Sequence, residues 1–192
     1  MFSLFKKKPV EPVHVVVVPR IKHTNFLRAA RAIPGMEQHA TPLAEPLAGD
    51  LLVTYAVDTG PAFEMVSPAT LDKYGLERAS LRTRARTGAK PALRSIRRRT
   101  DGVIHELTAD DNMAACTILF AELWDQIERE EGGKVVAIFP HRDRVYFGRA
   151  DDAAARPALQ KLLGEFNFED NHALSQLFYT RAPSGAWQAQ ET

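Results

Sequence analysis

The sequence predicts an α+β fold: an antiparallel sheet built from hairpins, with helices packed on one face. Two observations carry this. Short apolar runs come in pairs around turn residues, as in "DLLVTYAVDTGPAFEMV", where Asp58-Thr59-Gly60 parts the two halves. Stretches of helical length, bounded by capping residues, alternate with those pairs. The order hairpin then helix occurs at 51–75 and again at 134–164. That recurrence reads either as a degenerate internal duplication or as a common way to cover a sheet.

Residues 1–11 read as a flexible basic N-terminus, and residues 12–192 as a single α+β domain. In "MFSLFKKKPV" the lysines follow the apolar patch, the reverse of a signal peptide, so export is not expected. A frayed end is one reading of it; a weak membrane-touching tag made by Phe2, Leu4 and Phe5 ahead of three lysines is the other. Val13–Val18 reads as a short buried strand. "TNFLRAARAIPG" reads as a helix with Thr24 as N-cap and Pro34–Gly35 as its stop.

After the hairpin at Asp58-Thr59-Gly60, "SPATLDKYG" opens a helix. Ser67 can accept a backbone N–H, Pro68 is pre-set for the first helical position, and Gly75 closes the turn. "LERASLRTRARTG" predicts a further helix ending near Gly88. "ALRSIRRRTDGVIHEL" predicts a hairpin turning at Asp101-Gly102. Residues 112–131 predict a long buried helix, because Ala115, Leu119, Leu123 and Ile127 step by four, with Phe120 and Trp124 beside them. Gly132-Gly133 ends it. "KVVAIF" and "RVYFG" make a third hairpin, and "RPALQKLLGEF" a helix that begins or kinks at Pro157. "LSQLFYTR" and "AWQAQ" close the chain as a last hairpin around Ser184-Gly185.

Composition narrows the function. With 45% apolar and 26% charged residues among 192, the chain can bury a real core. Its net charge of +1 sets up no global field toward nucleic acid or membrane. The apolar runs, "VVVV" at 15–18 among them, are too short to span a bilayer. A single cysteine, Cys116, forms no internal disulfide and sits among apolar neighbours as a small core residue, which fits a reducing, cytoplasmic setting. Six histidines are scattered without ligand spacing, and no phosphate-binding glycine loop, zinc-protease motif or nucleophile elbow occurs. Neither a metal nor a cofactor is expected.

Three stretches hold candidate chemistry. The first is Pro140-His141-Arg142-Asp143-Arg144, at the tip of the third hairpin. It reads as a solvated turn capped by Asp143, or as an arginine held by Asp143 and presented to a carboxylate or phosphate on a partner. The second is "EDNHALS", where His172 with Asp170 or Ser175 nearby has the residue types of a general base, but equally those of a loop that caps its own backbone. The third runs from Arg82 to Arg99, with eight cations (Arg94, Arg97, Arg98 and Arg99 among them) and no acid. The rest of the chain therefore carries −7 against a total of +1. Alternating arginines guard an edge strand, or meet an acidic protein surface. Nucleic acid is the weaker partner, because no aromatic residue is interleaved for base stacking.

With "DLLVTYAVD", "ELWDQIEREEG", "FPHRDRVYF" and "NHALSQLFY" in this order, the chain resembles the bacterial YtpQ-like family, a domain of unknown function, over about residues 48–185. The resemblance implies the fold and a cytoplasmic bacterial setting. It implies no activity and no catalytic residue. The expected function is a non-enzymatic protein-binding module, in one concrete form an immunity-type inhibitor of a toxin. Its binding residues would be Arg142, Asp143, Arg144, Arg94, Arg97, Arg98 and Arg99, its partner a protein with an acidic surface, and a homo-oligomer is compatible with this. The alternative is a small hydrolase or transferase using His172, Asp143 and Arg142.

Overall fold

Ten strands and five helices build two antiparallel sheets in the computed structural model, which describes residues 15–34 and 38–190. The expected basic N-terminus at 1–11, with its membrane-touching alternative, lies outside those residues, as do Val13, His14 and Gly35. The α+β class with antiparallel strands is what the chain forms.

The first sheet is centred on β3 (Leu51–Asp58), in which every residue but the last is buried. Both faces of β3 are covered, which is why it reads as a continuous apolar run. On one side it pairs with β1 (Val16–His23), on the other with β2 (Ala44–Ala48) and then β4 (Phe63–Met65). β1 extends five residues past the expected strand end. It is an edge strand, where Pro19 lacks an N–H that the sheet does not need. Its last residue leads into α1 (Asn25–Arg31), which stops before Pro34. Thr24 does not cap α1 with its side chain. Its backbone N–H donates instead to the Asp50 carbonyl at 2.8 Å.

The hairpin β3–β4 passes to α2 (Pro68–Tyr74), capped as expected: Ser67 Oγ accepts the Thr70 N–H at 3.2 Å, and Gly75 ends the helix in the left-handed region at φ 61°. The following helix does not stop at Gly88. α3 (Leu81–Leu93) continues through it and through Pro91, burying Leu81, Ala85, Ala89 and Ala92. A Cβ on Gly88 would run into the Val17 carbonyl oxygen, so this glycine permits contact between α3 and β1. Tertiary packing overrides the stop signal that glycine gives in isolation.

The second sheet has six strands in the order β10-β9-β7-β8-β6-β5. They are β5 (Arg97–Asp101), β6 (Ile104–Thr108), β7 (Val135–His141), β8 (Arg144–Arg149), β9 (Phe178–Arg181) and β10 (Trp187–Gln190). Each of the three expected hairpins in this half forms. Helix α5 (Ala155–Leu163) lays Leu159 and Leu163 on the face that carries Val136, Ile138, Tyr146 and Phe178.

The opposite face belongs to α4 (Ala121–Glu131) and to the first sheet. Trp124 of α4 is fully buried edge-on to Phe139, Phe147 and Trp187, with ring centroids 6.3, 5.6 and 4.9 Å away. Helices therefore lie on both faces of the larger sheet, not on one.

The expected 112–131 helix is in two parts. Asp111 and Asn112 both adopt φ 56°, Ala114–Leu119 forms a tight 3-10 segment, and Phe120 (φ −116°, ψ 85°) breaks the path before α4 begins. Residues 113–118 are buried on all sides, so their apolar character does not mark one helix face. Leu119 and Leu123 are only half-buried. Trp124 and Ile127 are the buried residues of α4, and the Trp124 indole N–H donates to the Thr117 carbonyl at 2.9 Å, tying the two parts together.

Two substitutions test this packing. Gly88→Ala, which in an exposed helix gains about 1 kcal/mol, is expected to lower stability here by about 1–3 kcal/mol through overpacking against Val17. Trp124→Ala is expected to cost about 3–5 kcal/mol, and Leu123→Ala clearly less. Denaturant titration checks both, and a stabilised Gly88→Ala protein contradicts the close approach.

Candidate functional site

The PHRDR stretch is a two-residue turn, but it is not a free tip. Arg142 and Asp143 join β7 to β8, and the backbone of Arg142 is held on both sides: its N–H donates to the His172 carbonyl at 3.1 Å, and its carbonyl accepts the Ala115 N–H at 3.0 Å. His141 also bridges to Ala173 in the loop ahead of β9. A turn clamped between the 3-10 segment and the 170–175 loop has little freedom to move.

Within it, Arg142 Nε lies 3.3 Å from Asp143 Oδ1. For the terminal nitrogens of Arg142 no hydrogen bond or ion pair is found among the described residues. The Arg142–Asp143 contact is an ion pair without a hydrogen bond, since both atoms are buried with no hydrogen-bond partner, and the outer fork of the guanidinium is left open. Arg144 points elsewhere, with Nε 3.7 Å from Glu106 Oε1.

His141 is the residue whose part the sequence reading missed. Its Nδ1 accepts the Asp143 N–H at 3.3 Å and lies 3.5 Å from Asp143 Oδ2, while Nε2 lies 3.8 Å from Asp170 Oδ1. Its ring meets that of His172 edge-on at 5.9 Å. Burial is the largest influence and pushes its pKa below 6.5, against the pull of the two aspartates.

The side chain that caps this loop is that of Asp170, not of His172. The His172 backbone N–H donates to Asp170 Oδ1 at 2.6 Å, and the His172 ring Nδ1 is buried with no hydrogen-bond partner. Ser175 is buried, accepts the Leu177 N–H at 3.0 Å and lies 2.7 Å from the Tyr179 hydroxyl. No nucleophile–base hydrogen bond joins Ser175, His172 and Asp170.

Cys116 is buried, with its Sγ 3.4 Å from the Pro19 carbonyl, and burial pushes its thiol up to about 12. Among the described residues, no group of three or more His, Cys, Asp or Glu is placed to hold a metal ion. No helix among them is long and apolar enough to cross a membrane.

The basic segment is divided between α3 and β5. Five of its cations are paired within the chain: Arg82 with Glu45, Arg86 with Glu122, Arg97 with Asp110, Arg98 with Glu130 and Glu131, and Arg99 with Glu106. β5 is the outer edge of the larger sheet, and its arginines are exposed there, as an edge guarded by charge requires. Arg94 is exposed, and no ion pair is found for it among the described residues.

Beside the clamped turn lies a cleft of about 380 Å³, between the end of β1 with α1 and the 168–176 loop. Lys22 and His23 of β1 and Asp50 line it. Tyr179 donates its hydroxyl to Asp50 Oδ1 at 2.6 Å, and His23 Nε2 lies 3.3 Å from Asp50 Oδ2 while its Nδ1 accepts the Asn25 N–H at 3.0 Å. Lys22 is half-buried, and burial together with the nearby charges of Arg142 and Arg20 lowers its pKa. Arg20 is lowered in the same way, by burial and by Arg142. The sequence holds no local signal for this group, since Arg142 lies over a hundred residues from Arg20 and Lys22.

Compared with protein-family models, with curated proteins and with solved structures, the chain matches none.

Two measurements follow. His141 and His105, whose pKa burial also lowers, take up protons at lower pH in the folded chain than in the unfolded chain, which takes them up near pH 6.5. The unfolded state then binds more protons, so stability is complete above that value and falls as pH drops through it. Melting temperature is expected to decline between about pH 7.5 and 5, and less steeply in a His105→Gln, His141→Gln double variant. An equal slope contradicts the assignment. Cys116 is expected to resist small thiol reagents in the native protein at neutral pH, and rapid labelling contradicts its burial.

Proposed function

We propose that the protein is a non-catalytic binding module whose clamped turn presents Arg142 to an acidic group on another protein. The observation that carries this is the Arg142 side chain: its backbone is fixed from two sides, its Nε faces Asp143, and its outer fork is open. Such pre-organisation favours recognition, because little conformational freedom is lost on binding. Arg144 contributes less, since it faces Glu106, while Arg94 is exposed with no ion pair found for it among the described residues. Arg97, Arg98 and Arg99 also contribute less, since each already has an acidic neighbour, although the exposed Arg97–Asp110 pair is weak enough to be exchanged for a partner's carboxylate.

An immunity-type inhibitor that occludes a toxin is one form this module can take. The YtpQ-like resemblance adds a bacterial cytoplasmic setting to the proposal. The hydrolase or transferase reading through His172, Asp143 and Arg142 gains no supporting hydrogen bond from the arrangement.

A pull-down from the source cell, with wild type and Arg142→Ala as parallel baits, tests the proposal. The expected result is a partner retained by wild type and weakened more than about 1 kcal/mol by Arg142→Ala, with melting temperature nearly unchanged. Asp143→Ala is expected to weaken it as well. If both substitutions unfold the protein, the pair is internal structure. If both leave binding intact, the turn is not the recognition element.

A further inference from the structure

Lys22 is a cation that lines the cleft, and no ion pair is found for it among the described residues. It is half-buried at the end of β1, and among the described residues its only charged or aromatic contact is the Phe26 ring, 5.0 Å from Nζ. The two carboxylates that line the same cleft are already engaged: Asp50 by Tyr179 and His23, Asp170 by the His172 N–H and by His141. The charges nearest to Lys22 in effect are those of Arg20 and Arg142, both of its own sign.

Holding an ammonium partly out of water beside two guanidiniums, with no counter-ion, is unfavourable in the empty protein. An anion in the cleft reverses that balance. The cleft, at about 380 Å³, has the size of a small-molecule site. Its other walls are suited to an organic body: Phe26 and Phe168 supply flat apolar surface, while Asn25, Asn171 and Gln176 supply amide donors and acceptors.

We infer that this cleft binds a small organic anion, a phosphate or carboxylate carried on a flat apolar body, with the charged group at Lys22 and the body against Phe26 and Phe168. The inference does not rest on the protein-partner reading. That reading depends on the open fork of Arg142, whereas the cleft is tested through Lys22 and Phe168.

The test is a titration of the full chain followed by amide NMR, using phenyl phosphate, benzoate, inorganic phosphate and benzyl alcohol as probes. At least one aromatic anion is expected to saturate, about tenfold or more tighter than both inorganic phosphate and benzyl alcohol, with the largest shifts at residues 22–26 and 168–176. The tighter of the two aromatic anions identifies whether the site prefers phosphate or carboxylate. Lys22→Met keeps the apolar stem and is expected to weaken binding about tenfold without lowering the melting temperature, and Phe168→Ala to weaken it as well. The inference is overturned if neither aromatic anion saturates by about 10 mM, if the shifts lie elsewhere, or if Lys22→Met binds like wild type.

Discussion

The hydrogen bond from Tyr179 to Asp50 governs how the two sheets meet, and with it the shape of the candidate site. Tyr179 stands on β9 of the larger sheet, and Asp50 in the turn between β2 and β3 of the smaller one. At 2.6 Å from a carboxylate, the bond is charge-assisted and short, in a place where burial pushes the phenol far above its usual range and so keeps it a donor. Asp50 passes the constraint on. Its second oxygen faces His23 at the end of β1, and its carbonyl accepts the Thr24 N–H at the start of α1. One contact thus sets the last residues of β1, the entry to α1 and the 170–175 loop relative to one another. Lys22 lies within that frame.

Part of the charge in this protein is spent internally. Arg82 and Arg86 of α3 and Arg98 and Arg99 of β5 face acids on β2, α4 and β6, and Arg181, although buried, is held by Asp125 and Glu128 of α4. A chain that is strongly basic over 82–99 and acidic elsewhere therefore folds into a surface where the two signs meet. The groups left over among the described residues include the outer fork of Arg142 and the ammonium of Lys22. A binding module needs little more, because specificity arises from a few fixed charged groups and not from net charge.

Much of the fold was legible in the residues. Hairpins announced themselves through Asp58-Thr59-Gly60, Asp101-Gly102 and Ser184-Gly185, and Ser67-Pro68 through Gly75 marked a helix whose caps form as written. Misreadings came where tertiary packing outweighs local preference. Gly88 looked like a stop because nothing in the sequence shows that Val17 lies against it. Residues 112–131 looked like one helix because a segment buried on every side mimics a ladder on one face. The turn at Arg142–Asp143 was visible as a motif. Its clamping by Ala115 and His172, and its neighbours Arg20 and Lys22, depend on long-range contacts that no spacing in the chain encodes.

The seam between the sheets is tested most directly by amide hydrogen exchange in Tyr179→Phe, which removes the hydroxyl and leaves the ring. A hydrogen bond to a charged group is worth about 1.5–3 kcal/mol, or about tenfold or more in local opening. The account predicts that the Thr24 and Leu177 amides, bonded to Asp50 and Ser175, accelerate by at least that factor beyond any change at Leu159 and Leu163 in α5. If Thr24 and Leu177 exchange as in wild type, or if α5 accelerates just as much, the Tyr179–Asp50 contact is not what holds the two sheets and the cleft in place.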